Sequence, residues 1–199
     1  MQTQAVPLTL VDVVLPQRRT MHNVILVVLF SLLIGISAQI AIPLPFTPVP
    51  ITMQTLMVLL TGMLLGSRLG SITVLAYLAE GLAGLPVFAG GTSAWSPSSI
   101  PGVPVLLGPS AGYLVGFVFA AGLVGWLAER GWDRVWWTTA LAMVLGNLVI
   151  YAFGVGWLST FLGVSRAIAA GALPFLIGDA VKIALAVIAL PGGWAFVKK

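Results

Sequence analysis

The stretch His22-Asn-Val-Ile-Leu-Val-Val-Leu-Phe-Ser-Leu-Leu-Ile-Gly-Ile-Ser-Ala-Gln-Ile-Ala-Ile42 contains no Asp, Glu, Lys or Arg. At about 1.5 Å of rise per residue, a helix of this length matches the roughly 30 Å hydrocarbon core of a bilayer. Five more apolar segments follow, at about 51–66, 69–88, 110–129, 135–157 and 174–197. Breakers separate them: the block Pro43-Leu-Pro-Phe-Thr-Pro-Val-Pro50, the turn Gly66-Ser-Arg-Leu-Gly70, a Gly/Ser/Pro-rich connection over 89–109 and a moderately apolar connection over 158–173. Pro174 suits the first turn of the last segment. The runs do not alternate as barrel strands would. The expected fold is an all-α membrane protein, a bundle of six transmembrane helices.

Composition agrees. Of 199 residues, 59% are hydrophobic and 7% charged, whereas soluble domains carry about 25% charged residues. The net charge of +4 comes from few basic residues, grouped at segment ends as helix-flanking anchors, so nucleic acid is not an expected partner. With no cysteine and a single histidine, His22, thiolate chemistry, disulfides and His-based metal sites are excluded. Nor is there a phosphate-binding G-x-x-x-x-G-K-[ST] loop, an H-E-x-x-H or a G-x-S-x-G, so an enzyme reading has no support.

Six crossings put both termini on one side, with Arg18, Arg19, Arg68, Arg130, Arg134, Lys198 and Lys199; Arg166 alone lies opposite. This asymmetry places the N- and C-termini in the cytoplasm. Residues 1–21 read as a cytoplasmic tail on the membrane surface, because Asp12 interrupts the apolar stretch 8–15 and no cleavage site follows; residues 22–199 form the transmembrane domain. Trp126, Trp132, Trp136, Trp137 and Trp194 fall at cytoplasmic ends and Trp157 at an external end, as interface anchors.

Charges inside the crossings are costly, about 2.5–3.5 kcal/mol each at mid-bilayer on insertion scales. Only Glu80, Asp179 and Lys182 qualify. Asp179 and Lys182, three apart, share one helical face in the outer half of the last segment. They read either as a self-neutralising pair or as a site in which Lys182 meets an anionic group and Asp179 accepts N–H or O–H groups. The long uncharged outer loops, which suit a lid, favour the site. Asn147 and Tyr151, spaced i,i+4, together with Gln54 and Thr52, are further polar candidates for ligand or for helix joining. Trp95 reads as a stacking partner or an interface anchor, and Glu80 as a structural partner. Gly62–Gly66–Gly70 and Gly112–Gly116 have helix-packing spacing, while the small stripe Ser31, Gly35 and Ala38 suits internal packing or a partner helix.

Four blocks resemble a known family: Ile42-Pro-Leu-Pro-Phe-Thr-Pro-Val-Pro-Ile-Thr-Met-Gln-Thr-Leu56, Gly84-Leu-Pro-Val-Phe-Ala-Gly90, Leu107-Gly-Pro-Ser-Ala-Gly-Tyr-Leu114 and Pro174-Phe-Leu-Ile-Gly-Asp-Ala-Val-Lys182. They are similar to the BioY family, the biotin-specific S components (substrate-binding subunits) of energy-coupling factor (ECF) transporters. The resemblance spans nearly the whole chain. It implies a six-helix S-component domain in the cell (cytoplasmic) membrane, with biotin held near the outer face under a loop lid. It also implies biotin contacts at Asp179 and Lys182; the side-chain chemistry then puts Lys182 on the carboxylate and Asp179 on a ureido N–H. The partners implied are a transmembrane T component, against which Ser31, Gly35 and Ala38 would pack, and two ATPases that alone use ATP; no cofactor is bound covalently. Two departures stand out: Glu80 replaces an expected apolar residue and Ser110 an expected Thr. Alternatives are a solitary biotin transporter, an S component for another vitamin, or a membrane scaffold with a structural Asp179–Lys182 pair.

Overall fold

A computed structural model describes residues 9–17 and 19–197; Arg18, Lys198 and Lys199, used above for orientation, lie outside the described residues. A short helix, α1 (Leu10–Val14), precedes α2 (Thr20–Gln39). Two two-residue strands, β1 (Ala41–Ile42) and β2 (Ile51–Thr52), pair antiparallel and close the proline-rich block into a loop. The long helices α3 (Gln54–Leu82), α4 (Ala111–Ala128) and α5 (Trp136–Leu162) follow, then α6 (Val164–Gly171) and α7 (Leu176–Val197). Five helical stretches, α2, α3, α4, α5 and the α6–α7 run Val164–Val197, are long and apolar enough to cross a membrane.

The second and third apolar segments both lie in α3, which reverses at Gly66. The backbone there takes φ 85°, ψ 174°, a conformation that favours glycine. A Cβ on Gly70 would lie 2.8 Å from Gly62 Cα, whereas eight residues of straight helix span about 12 Å. Gln54 Nε2 also reaches Tyr77 Oη at 2.8 Å across 23 positions. The run is therefore a helical hairpin with arms 54–65 and 67–82. Glu129 fastens its turn, accepting from Ser67 N–H at 2.7 Å and Ser67 Oγ at 2.8 Å.

Glycines set the helix spacing, as expected. A Cβ on Gly62 would meet Ala121 O at 2.3 Å, and one on Gly112 would meet Trp157 Cβ at 2.3 Å. So α3 and α5 approach α4 at backbone distance, where only a hydrogen fits. Around these contacts Tyr77, Leu59, Met63, Val124, Met143 and Ile150 form the buried centre.

Three sequence expectations need correction. The stripe Ser31, Gly35 and Ala38 is buried on the inner face of α2. Ser31 Oγ donates to Glu80 Oε1 at 2.6 Å, and a Cβ on Gly35 would lie 3.4 Å from Val87 Cβ. These residues pack inside the chain and are covered, so a partner helix cannot rest on them; the outward face of α2 is Val24, Ile25, Val28, Leu29, Leu32 and Ile36. The stripe cannot separate the two faces because small residues serve both kinds of contact. Second, the 158–173 connection is mostly helical, holding the end of α5 and all of α6. Third, the start of the described tail is docked: Thr9 is buried, and Leu10 lies close to Gly193 on α7, while residues 14–17 and 19–21 are exposed.

Thr9, the Gly66 turn, Glu129 and the end of α7 thus meet at one end of the bundle. There Trp194 is buried, not a belt residue, and its Nε1 donates to Asp133 Oδ2 at 2.6 Å. The loops between α2 and α3 and between α3 and α4 cover the opposite end.

Candidate functional site

A cavity of about 200 Å³ opens beneath those two loops. One wall is the end of the proline-rich block, Pro48–Pro50, with Thr52 of β2 and with Gln54 and Thr55 at the start of α3; α4 adds Tyr113, Leu114 and Phe117. Asn147, Ile150 and Tyr151 come from α5, and Asp179 and Lys182 from α7. The 89–109 connection roofs it and is itself organised. Gln39 Oε1 accepts from Gly91 N–H at 2.8 Å, Phe88 is bridged to Thr92, and Ser99 Oγ donates to Pro48 O at 3.4 Å. Phe88 is held under Gly81, where a Cβ would lie 2.1 Å from its ring.

The polar centre joins three elements. Lys182 Nζ donates to Asp179 Oδ1 at 3.1 Å and to Thr55 Oγ1 at 2.8 Å. Tyr151 Oη donates to Asp179 Oδ2. Asp179 and Lys182 are 6% and 5% exposed, which demands such partners, since an unpaired buried charge costs several kcal/mol. The i,i+3 spacing places both side chains on the cavity face of α7. Each retains capacity: Lys182 has a third N–H, and each Asp179 oxygen a second lone pair.

Gln54 is oriented by a relay. Tyr77 Oη donates to Val87 O at 3.2 Å, so it accepts from Gln54 Nε2. The amide oxygen of Gln54 is left without a hydrogen bond among the described residues. Asn147 is buried at 7% exposure and lines the cavity, and its amide likewise has no protein hydrogen bond among the described residues. Both amides line the cavity, where a molecule bound in it can serve them.

The structure thus brings Asp179, Lys182, Tyr151, Asn147, Gln54 and Thr52 to one cavity. Trp95 is not among its walls; it is exposed, and its Nε1 donates to Leu82 O at 2.8 Å at the end of α3. Glu80 is also outside, held by Ser31, with Oε2 buried and without a partner among the described residues. Sequence reasoning missed Thr55, Tyr113, Phe117 and Phe175 as lining residues. Thr55 had a signal, standing beside Gln54 at the start of a crossing; the aromatic residues had none that distinguishes them from core. Chemically, the cavity presents apolar walls, one neutralised ion pair and amide groups with unused bonding capacity, an arrangement that suits a small molecule with a polar head and an apolar body.

Comparison with known proteins agrees with this chemistry. The family model described as the BioY family matches residues 5–199. A probable biotin transporter BioY of Pyrococcus horikoshii is 39% identical over 166 residues, covering 83% of this chain and 92% of the relative. A biotin transporter BioY of Thermotoga maritima is 36% identical over 169 residues, covering 84% and 93%. The crystal structure of the S-component for biotin from an ECF-type ABC transporter superposes with a TM-score of 0.73 at 28% identity, covering 86% of this chain and 90% of that one.

Proposed function

The chain belongs to the BioY family, and from that premise we propose that it captures biotin at the outer face of the cell membrane as the S component of an ECF-type transporter. It is a transport protein, not an enzyme. The observation that carries the reading is the Asp179–Lys182 pair, buried in an otherwise uncharged, largely apolar cavity under two fastened loops. Biotin suits such a place: a ureido ring with N–H donors beside a carbonyl, and a bicyclic body and tail for the apolar walls. Asp179 and Lys182 bind it directly, with Tyr151 holding the Asp179 carboxylate. Asn147 supplies its side-chain amide, and Gln54 its amide oxygen while its Nε2 donates to Tyr77.

In this reading the two arms of α3 cross the membrane separately, which makes six crossings. The Gly66 turn, the 129–135 connection and both termini face the cytoplasm, in keeping with Arg19, Arg68, Arg130 and Arg134 at connections and termini of that side. Transport then needs a T component and two ATPases, because this chain has no nucleotide-binding loop. Titration of the purified protein with biotin, thiamine and riboflavin tests the site. Saturable binding of biotin alone, weakened by Lys182→Ala and by Asp179→Asn, is expected; absence of saturable biotin binding overturns the reading. Biotin uptake by cells that express this chain without T component and ATPases would replace the ECF assignment with solitary transport.

A further inference from the structure

We propose that the site reads one uncharged end of its ligand and holds no countercharge for a carboxylate, so that tail-neutral biotin derivatives, amides and esters, are ligands in their own right. This rests on the biotin reading above and deepens it. Among the described residues that line the cavity, only Asp179 and Lys182 carry a formal charge. They cancel each other at 3.1 Å. The other polar lining groups are neutral hydroxyls and amides, and Arg19, Arg68, Arg130, Arg134 and Arg166 are not among the walls.

A ligand carboxylate placed on Lys182 would therefore stand beside the Asp179 carboxylate. That brings two like charges together and leaves the buried cavity with a net negative charge, which is unfavourable by several kcal/mol. A cyclic urea meets no such obstacle. It offers an N–H next to a C=O, and the pair offers an acceptor, Asp179, next to a donor, Lys182. Each of those groups keeps unused bonding capacity, as counted above, so a urea adds hydrogen bonds without disturbing the neutral pair.

Length gives an independent argument. The urea and the carboxylate of biotin lie at opposite ends of the molecule, separated by the ring system and the pentanoate tail. Two groups 3.1 Å apart cannot serve both ends of an extended ligand. With the urea on the pair, the tail runs toward the loop rim, where Pro97 and Ser99 are exposed and water can solvate a carboxylate. The division of labour suggested by the side chains alone, Lys182 for the carboxylate and Asp179 for the urea, thus gives way to a shared grip on the urea.

Competition against labelled biotin on the purified full-length chain decides it. The competitors are biotin, biotin methyl ester, biotinamide and lipoate, which has a carboxylate-bearing tail and no urea. The ester and the amide are expected to compete within about tenfold of biotin, and lipoate not to compete. A loss of more than about tenfold for both neutral derivatives overturns the proposal, being the size expected when a charge-assisted bond to Lys182 disappears. Displacement by lipoate at concentrations near those of biotin overturns it as well. If the chain does not bind biotin at all, both readings fall; failure of the neutral derivatives alone removes only this one.

Discussion

Lys182 Nζ donates to Thr55 Oγ1 at 2.8 Å, tying α7 to the first turn of α3 across 127 positions of sequence. The lysine is thereby held from two sides, by Thr55 and by Asp179. Thr55→Val keeps the shape and removes the acceptor, leaving Lys182 less well positioned. A hydrogen bond to a charged group contributes about 1.5–3 kcal/mol, so biotin affinity should fall about tenfold to a hundredfold. Thr55→Ser should retain most of it. Calorimetric titration measures both, and unchanged affinity in Thr55→Val would remove Thr55 from the site.

The Asp179–Lys182 pair also bears on stability. Asp179→Leu strands a buried ammonium and should destabilise the protein by about 3–5 kcal/mol. Adding Lys182→Met removes the stranded charge, so the double variant should melt near the parent temperature while binding no biotin. Thermal melting in detergent together with a binding assay separates the two roles. A double variant as unstable as Asp179→Leu would contradict the charge argument.

Backbone-distance packing predicts a contrast between two glycines. Gly62→Ala forces a methyl group to within 2.3 Å of Ala121 O; backbone cannot move aside, and overpacking of this kind costs about 1–3 kcal/mol or more. Gly156 has nothing within 4 Å of its would-be Cβ. Gly156→Ala should stay within about 1 kcal/mol of the parent. Melting temperatures of the two single variants supply the comparison.

At the end of the bundle where Thr9, the Gly66 turn and Glu129 meet, burial pushes the Asp133 carboxyl above the ordinary carboxylate range, with the Trp194 N–H, its own backbone and Arg134 pulling it back. Its Oδ1 is buried without a partner among the described residues. The folded state then holds this proton more tightly than the unfolded state. Its contribution to stability is present below the unfolded value of 3.8 and is lost as pH rises through the raised folded value. Asp133→Asn keeps an oxygen for Trp194 and cannot ionise, so it should be more stable than the parent near neutral pH and lose that advantage in acid. Melting curves across the acidic range test the sign; a variant less stable than the parent at neutral pH would reverse it.

Much of the fold was legible because the solvent imposes it. Backbone groups in hydrocarbon must bond within a helix, so apolar runs such as 22–42 announce themselves, and Gly62, Gly66 and Gly70 marked the tight turn and the close packing. Glu80 and Ser31 show the limit. A carboxylate at membrane depth announced that it needs a partner, but that the partner is Ser31, 49 positions away, follows from how α2 leans on the hairpin. The same contact turned a stripe that suits an outside partner into an internal seam.

For the site, the sequence by itself determined the charged pair and its shared helical face, because i,i+3 spacing is a local fact. Only the tertiary structure decided that Thr55 and Tyr151 complete the pair and that no other charged residue lines the cavity among the described residues. It also turned the amide of Asn147 and the amide oxygen of Gln54 toward the cavity, with Gln54 Nε2 held by Tyr77. Those relations join residues from separate helices, and helix-to-helix approach is set by small residues and side-chain shape summed over the whole bundle, which no single segment encodes.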